Sequence, residues 1–392
     1  MKIVFVESSG RAWGSEQHFV NLAKGCHLAG HTVVAVVREA SDVARLLKDA
    51  GVDVRETPFR GGADPRAMRL TWRVLRELDA DWLVTDHQKH YWALYVLARL
   101  TGTRLAAFRH MAFIRSWFNR VLFPRLSDRF FVVSDYALQA LIDAGAPAAH
   151  LSKLYNPIDL QRFKPDPGQA ARTRAVLSLP EHAYLVGFVG RHEFGKGVEV
   201  LQRALSLAMT QDSQLHAVWV GMGPHWQQTR HAVAQDTNAA RHRFIDWTDR
   251  PEDYLVALDT LVAPSRDIET FGRVVAEAQA CGVPIIASCV GGMQEAFMPS
   301  RSGIAFESGC PERLANKILN LKQDPSRRAW MTRVGRDFVR QFDTPNIVKL
   351  FEHYLQASSG GNPQRLSARG SLYIARNVLL MIACVDLLSS CR

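Results

Sequence analysis

The sequence predicts an α/β protein built from two similar halves, each a parallel sheet flanked by helices. Three observations lead there. Short apolar runs alternate with helical patterns of roughly a dozen residues, as βαβ units do. The alternation breaks at Lys164-Pro165-Asp166-Pro167-Gly168, where two prolines and a glycine read as a linker. It then restarts, with no detectable sequence repeat between the halves.

In the first half the strand candidates are residues 3–6, 32–37, 82–85, 105–108, 130–133 and 151–154. In the second they are 185–189, 217–220, 243–245, 260–263 and 285–287. A helix over 345–356 closes the pattern, followed by the linker Ser358-Ser359-Gly360-Gly361-Asn362-Pro363. The expected domains are 1–163 and 164–344, then a closing helix (345–357) returning to the first domain, then a linker and apolar tail (358–392). Within that tail, 371–388 is apolar but interrupted by Arg376, Asn377 and Asp386. It makes a poor membrane span and reads as an extra packed helix or a surface-lying one.

The 392 residues suit two or three domains. Hydrophobic residues at 47% and charged residues at 22% place the chain among globular proteins. The six cysteines include no C-x-x-C pair, which disfavours a disulfide framework or structural zinc. Ile3 to Val6 is too short for a signal h-region, so a cytoplasmic location is expected. The net charge is +10, and residues 1–165 carry 23 Lys/Arg against 16 Asp/Glu. That excess points the first half toward an anionic partner.

Ligands of open α/β sheets bind beyond the carboxyl ends of the strands. In the first half those positions hold Glu7-Ser8-Ser9-Gly10, Asp86-His87, His110, Ser134-Asp135 and Asn156. In the second they hold Gly190-Arg191, Gly221-Met222-Gly223, Pro264-Ser265 and Ser288. The loop Gly10 to Glu16 joins a strand to a helix and lets backbone approach an anion, as an ordinary strand–helix turn also would. Arg191 and Lys196 sit in the glycine-rich run Gly190 to Gly197 before a helix N-terminus, where cations are unfavourable unless an anion arrives. A planar guanidinium and a point charge together suit a diphosphate. Glu269 and Glu277 stand eight residues apart. If both were helical they would lie about 12 Å apart, too far to flank one bond at roughly 5–9.5 Å. They fit different parts of a long ligand.

Several strings here resemble glycosyltransferase family 4, the retaining nucleotide-sugar enzymes of GT-B architecture. The most specific is Pro264-Ser265, Glu269-Thr270-Phe271-Gly272, Glu277-Ala278, Gly282-Val283-Pro284 and Gly291-Gly292-Met293-Gln294-Glu295. Gly190-Arg191 with Lys196-Gly197, and Asn156-Pro157-Ile158-Asp159 with Phe163, resemble further family motifs. The likeness runs to about Gln356. It implies two Rossmann-like domains with parallel sheets facing across a central cleft, and an active site there. Arg191 and Lys196 would hold the donor diphosphate and offset leaving-group charge. Glu277 would take the ribose hydroxyls, and Glu269 would face the sugar. Phe271, Gly272, Arg273 and Val274 would add donor contacts, and Gly14 would bring backbone close. His110 resembles the family's first-domain histidine near the sugar. Catalysis would rest on His110, Glu269, Arg191 and Lys196, with Glu16, Trp13, His87 and Asn156 on the acceptor side. The first loop departs from the family's Gly-Gly-x-Glu, since Trp13 stands at the first glycine. It limits positive φ there, and could instead stack on a sugar.

Neither cofactor nor metal is expected beyond the donor itself, of UDP, GDP or ADP type. Asp79-Ala80-Asp81 matches D-x-D but precedes its strand, so it faces away from the ligand edge. Residues 99–129 hold seven arginines and one acid, interleaved with Trp117, Phe118, Leu122 and Phe123. A helix over 114–126 with Arg115, Trp117, Phe118 and Arg120 on its surface would suit an anionic membrane. An ordinary surface helix would carry the same residues, and no recognised module supports nucleic acid. The resemblance implies transfer to a cell-envelope glycan or glycolipid precursor, such as lipopolysaccharide or another surface polysaccharide, at the inner face of the cytoplasmic membrane. The alternatives are a nucleotide-sugar epimerase of the same architecture and a non-catalytic glycan- or membrane-binding scaffold. A dehydrogenase lacks its G-x-G-x-x-G.

Overall fold

The computed structural model describes residues 1–12 and 14–357. They form two compact units, one of Met1–Pro157 with the helix Thr344–Ala357, the other of Ile158–Asp343.

The first unit holds seven strands: β1 (Lys2–Glu7), β2 (Thr32–Arg38), β3 (Asp53–Thr57), β4 (Trp82–Thr85), β5 (Arg104–Arg109), β6 (Arg129–Val132) and β7 (Leu151–Lys153). All pairs are parallel, in the order β3-β2-β1-β4-β5-β6-β7. Strands buried on both faces need apolar residues at every position. In β1, Ile3 and Phe5 enter one core and Val4 and Val6 the other.

The helix Thr344–Ala357 belongs to this unit and places Ile347, Val348, Phe351 and Leu355 in the first of those cores. It packs on the helix Gly14–Leu28 at Gly25, where a Cβ would lie 2.6 Å from Thr344 Cγ2 and 2.7 Å from Val348 Cγ2. Only glycine permits that approach.

The second unit holds β8 (Tyr184–Val189), β9 (Leu215–Val220), β10 (His242–Ile245), β11 (Thr260–Ala263), β12 (Ile285–Ser288) and β13 (Gly303–Phe306). The order is β10-β9-β8-β11-β12-β13, again all parallel. Both sheets reverse their strand order beside the first strand of the unit, between β1 and β4 and between β8 and β11.

Four expectations need correction. The change of unit falls at Pro157, before the proline-rich stretch: the Ile158 N–H donates to Phe342 O at 2.8 Å, tying Ile158 into the second unit. Lys164–Gly168 leads directly into the helix Pro167–Val176, whose cap is Asp166 accepting from the Gln169 N–H. Strand β3 was hidden by its polar residues, which suit a sheet edge, and β13 by its opening glycine. At Gly303 a Cβ would meet Ile285 and Phe297 at 2.6 Å. The helix expected over 114–126 starts only at Trp117. It runs in π register over Phe118–Leu122, with the Phe123 N–H reaching Phe118 O, then as α-helix over Phe123–Leu126. Pro124 has no N–H to give Arg120 O, which favours the wider turn.

Candidate active site

In the first unit, the ends of β1, β4 and β5 bring together residues far apart in the chain. Val6 pairs with Thr85, so Glu7 and Asp86 lie side by side just beyond. Glu7 is fully buried, and its Oε1 accepts the N–H groups of Ser8 at 2.6 Å and Ser9 at 2.7 Å. Burial and the neighbouring Asp86 push the Glu7 carboxyl well above the usual range. Burial likewise pushes Asp86 up to about 6.

Around this pair lies a polar shell. The Ser9 hydroxyl donates to Glu16 Oε1 at 2.9 Å and lies 2.9 Å from His87 Nε2. His87 Nε2 is also 3.4 Å from Glu7 Oε1. His90 Nδ1 lies 2.8 Å from Gly62 O, which can only accept, so this nitrogen carries the proton. Nε2 is then left to accept from the Ser8 hydroxyl at 2.7 Å. Burial depresses His90 to about 4 and keeps it neutral. His110 Nε2 lies 3.6 Å from Asp86 Oδ2, and its ring meets His18 at 4.7 Å. His18 Nδ1 in turn lies 3.0 Å from Asn156 Oδ1.

Four of the first-half residues singled out in the sequence therefore share one site: Glu16, His87, His110 and Asn156. Gly14 opens the helix, and a Cβ there would meet nothing within 4 Å, leaving open space above the loop. Trp13 lies outside the described residues, as does the tail from 358 onward. Sequence reasoning placed Glu7 and Asp86 at strand ends without giving them roles, and missed His18. Helix periodicity could not have found His18, because residues two apart on a helix do not share a face. Asp81 accepts from the Lys2 N–H at 2.8 Å, at the opposite edge of the sheet from Glu7.

In the second unit the site sits at the ends of β8 and β11. Gly197 adopts φ +67°, and a Cβ there would lie 2.0 Å from Pro264 O. The loop from Arg191 to Lys196 is thereby drawn against Pro264-Ser265. Lys196 pairs with Glu269 Oε1, which also accepts from the Ser265 hydroxyl at 2.8 Å. Glu269 forms a bridge with Gly291, and the Gly292 N–H donates to its carbonyl at 2.7 Å. Ser288 and Ser308 brace the same turn by donating to Ser265 O at 2.6 and 2.9 Å.

Gly272 (φ +77°) breaks the chain into the helix Arg273–Ala280. Arg273 Nε donates to the nearly buried Glu277 at 2.6 Å, one turn on. Arg191 Nε stands 3.5 Å from Glu193 Oε2 and remains half exposed. Val274 is half-buried. Phe271 is 2% exposed and packs edge-on against Phe342 at 5.0 Å. Its ring holds the loop. Glu269 and Glu277 sit on different elements, one in a bridge and one in a helix. Arg191 and Lys196 precede the helix Val198–Gln211 and Arg273 opens the helix Arg273–Ala280, each opposed by a carboxylate that an anion could replace.

The basic segment has its own geometry. Met111, Phe113, Trp117 and Phe118 are exposed by 62, 60, 54 and 44%, whereas Ile114 and Phe123 are buried. Arg115 is exposed. Arg120 turns back to donate to Ile114 O at 3.0 Å, and so braces the segment.

Residues 13–162 match the model of Glycosyltransferase Family 4, and residues 169–338 match that of the group 1 glycosyl transferases. D-inositol 3-phosphate glycosyltransferase 1 of Catenulispora acidiphila is 34% identical over 232 residues, 55% of this chain and 54% of that protein. The chain thus spans about half the length of that curated relative. The GDP-mannose-dependent alpha-(1-6)-phosphatidylinositol monomannoside mannosyltransferase of Mycolicibacterium smegmatis is 27% identical over 82% of each chain. Among solved structures, Anabaena HepE in complex with UDP and glucose superposes with a TM-score of 0.80 at 22% identity, covering 91% of this chain and all of that one. This last likeness gives the fold, which is GT-B. With the two models reaching from residue 13 to residue 338 and the motif residues gathered at both switch points, the chain belongs to glycosyltransferase family 4, the group 1 glycosyltransferases.

Proposed function

We propose that this protein is a retaining glycosyltransferase that moves a sugar from a nucleoside-diphosphate sugar to a hydroxyl of a cell-envelope glycan or glycolipid precursor. The observation that carries the reading is the second-unit cluster of Arg191, Lys196–Glu269 and Arg273–Glu277 at a topological switch point. The diphosphate displaces Glu269 from Lys196 and engages Arg191. Both cations then offset the charge that grows on the leaving phosphate, with no metal needed for that step. Glu277 takes the ribose hydroxyls, and His110 is the histidine that the family resemblance implies near the sugar.

The family resemblance favours retention by a front-face transfer. Before the donor arrives Glu269 is held by Lys196 and Ser265, and Glu277 by Arg273. The acceptor oxygen bonds to the anomeric carbon on the face where the phosphate bond breaks, and its proton passes to the departing phosphate oxygen. The named relatives act on inositol phosphate and phosphatidylinositol monomannoside, which favours a phosphorylated polyol or lipid-linked acceptor. Lipopolysaccharide remains one member of that wider class.

A calorimetric screen of UDP, GDP, ADP, CMP and their sugar conjugates tests the donor. One nucleoside diphosphate should bind at micromolar strength and weaken about tenfold or more in Glu277→Ala, since ribose hydrogen bonds to a charged group are lost. Binding by none of them would sink the reading.

The acceptor side works at an anionic membrane surface, on the cytoplasmic face. The four exposed apolar side chains from Met111 to Phe118 beside Arg115 support this, as does the excess of basic residues in the first half. No helix among the described residues is long and apolar enough to cross a membrane. Arg115→Glu combined with Trp117→Ser should release the protein from phosphatidylglycerol vesicles. Unchanged binding would exclude this face.

A further inference from the structure

The first-unit site contains a carboxyl pair for which the transfer step has no use. Glu7 and Asp86 end adjacent parallel strands at the switch point, within hydrogen-bond reach of each other. Glu7 Oε1 is occupied by two backbone N–H groups, so Oε2 is the oxygen left for Asp86. Neither Glu7 Oε2 nor either Asp86 oxygen meets a protein donor, and all three are buried. Two ionised carboxylates cannot share such a place, and one proton between them removes the conflict. Besides the Asp86 N–H and the His110 ring at 3.6 Å, the two carboxyls have each other as partner.

The remaining groups decide where the proton rests. Glu7 faces Asp86 and His87. Asp86 feels Lys89, which favours its charge, and Glu16, which opposes it. Hydrogen bonding from Glu7 holds Asp86 down while raising Glu7, which puts the proton on Glu7. The other imidazoles of the shell are otherwise engaged: His87 with Ser9, His90 with Gly62 O and Ser8, and His18 with Asn156. His110 is the ring that faces Asp86, with Nε2 at 3.6 Å from Oδ2.

We propose that Glu7 and Asp86 hold one proton between them, and that the single charge left on Asp86 fixes His110 as its Nε2–H tautomer. Asp86 is then a positioning residue for His110, and Glu7 keeps Asp86 at one charge. The other ring nitrogen, Nδ1, can only accept in this tautomer. A group brought to Nδ1 could donate to it but could not accept from it. The catalytic use of that tautomer rests on the transferase reading, but the tautomer itself does not.

The test is the ring ¹⁵N spectrum of His110 in the full chain, followed over pH in wild type, Asp86→Asn and Glu7→Gln. Both variants are isosteric, and their melting curves report folding. In wild type, His110 should be the Nε2–H form at neutral pH and lose that form as pH falls through about 6, where Asp86 gains a proton. Asp86→Asn should abolish the preference at every pH, whereas Glu7→Gln, which still donates to Asp86, should preserve it.

In the transfer assay, kcat of Asp86→Asn should fall about 10–100-fold, the usual cost of losing an outer partner of a functional histidine. Donor KM should change little, and the acid limb near 6 should vanish. A mixed tautomer in wild type at neutral pH, or unchanged His110 signals in a folded Asp86→Asn, would overturn the proposal. The expected spectra in a protein that binds no nucleotide would leave the pair standing and sink the transferase reading instead.

Discussion

The two units place chemistry at the same topological point, the reversal of strand order beside the first strand, yet fill it oppositely. At β8/β11 three carboxylates each have a cation: Glu269 with Lys196, Glu277 with Arg273, Glu193 with Arg191. At β1/β4, Glu7 and Asp86 have each other and a ring of histidines. The difference teaches what each site awaits. Ion pairs that can trade a carboxylate for a phosphate suit an anionic ligand. A dry acid pair that must keep a proton suits neutral hydroxyls, which it can orient through imidazole without drawing in counter-ions.

The sharpest way to break this contrast is Lys196→Ala. The substitution removes a cation and also leaves Glu269 without Lys196, at the place proposed for the diphosphate. Turnover with the best nucleotide sugar should fall on the order of 10²–10³-fold, as when a transition-state charge partner is removed. Steady-state kinetics in folded protein decide it. Wild-type turnover would show that the second-unit ion pair is structural and that the contrast between the units has no catalytic meaning.

The two sites also differ in how far the sequence exposed them. The second is largely one stretch of chain: Pro264 to Glu295 supplies Glu269, Glu277, Arg273, the helix and the bracing turn, and one loop supplies Arg191 and Lys196. Spacing along the chain therefore stood in for geometry. The first is assembled from β1, β4, β5 and the helix Gly14–Leu28, so proximity depended on strand order, which periodicity does not report. Glu7 and Asp86 stood in plain view at strand ends, but nothing local said that they touch.

The fold shows the same divide. Buried central strands such as β1 and β8 read directly as apolar runs. The polar edge strand β3 did not, because its pattern follows from its place in the sheet. The π turn at Phe118–Leu122 also escaped, since it depends on how the chain accommodates Pro124.

A smaller effect separates the units by sign. Glu7 keeps its proton in the fold to a pH well above where it does so in the unfolded chain. The folded state therefore binds more protons than the unfolded state from about pH 4.3 upward. Its stability declines as pH rises through that window, up to the raised value. Glu7→Gln removes the decline. It should leave the melting temperature unchanged near pH 4 and raise it at pH 8, by about 2–4 °C for each kcal/mol relieved in a unit of this size. Glu269→Gln should do the reverse. It loses a half-exposed ion pair to Lys196, so the change is a small drop, bounded by the roughly 0–1 kcal/mol such pairs contribute. Differential scanning calorimetry of both variants at pH 4 and 8 makes the comparison. If Glu7→Gln lowers the melting temperature at pH 8 as Glu269→Gln does, then Glu7 is ionised and satisfied in the fold. The two switch points would then share one electrostatic design: carboxylates held by cations, with those facing Glu7 supplied by protonated histidines.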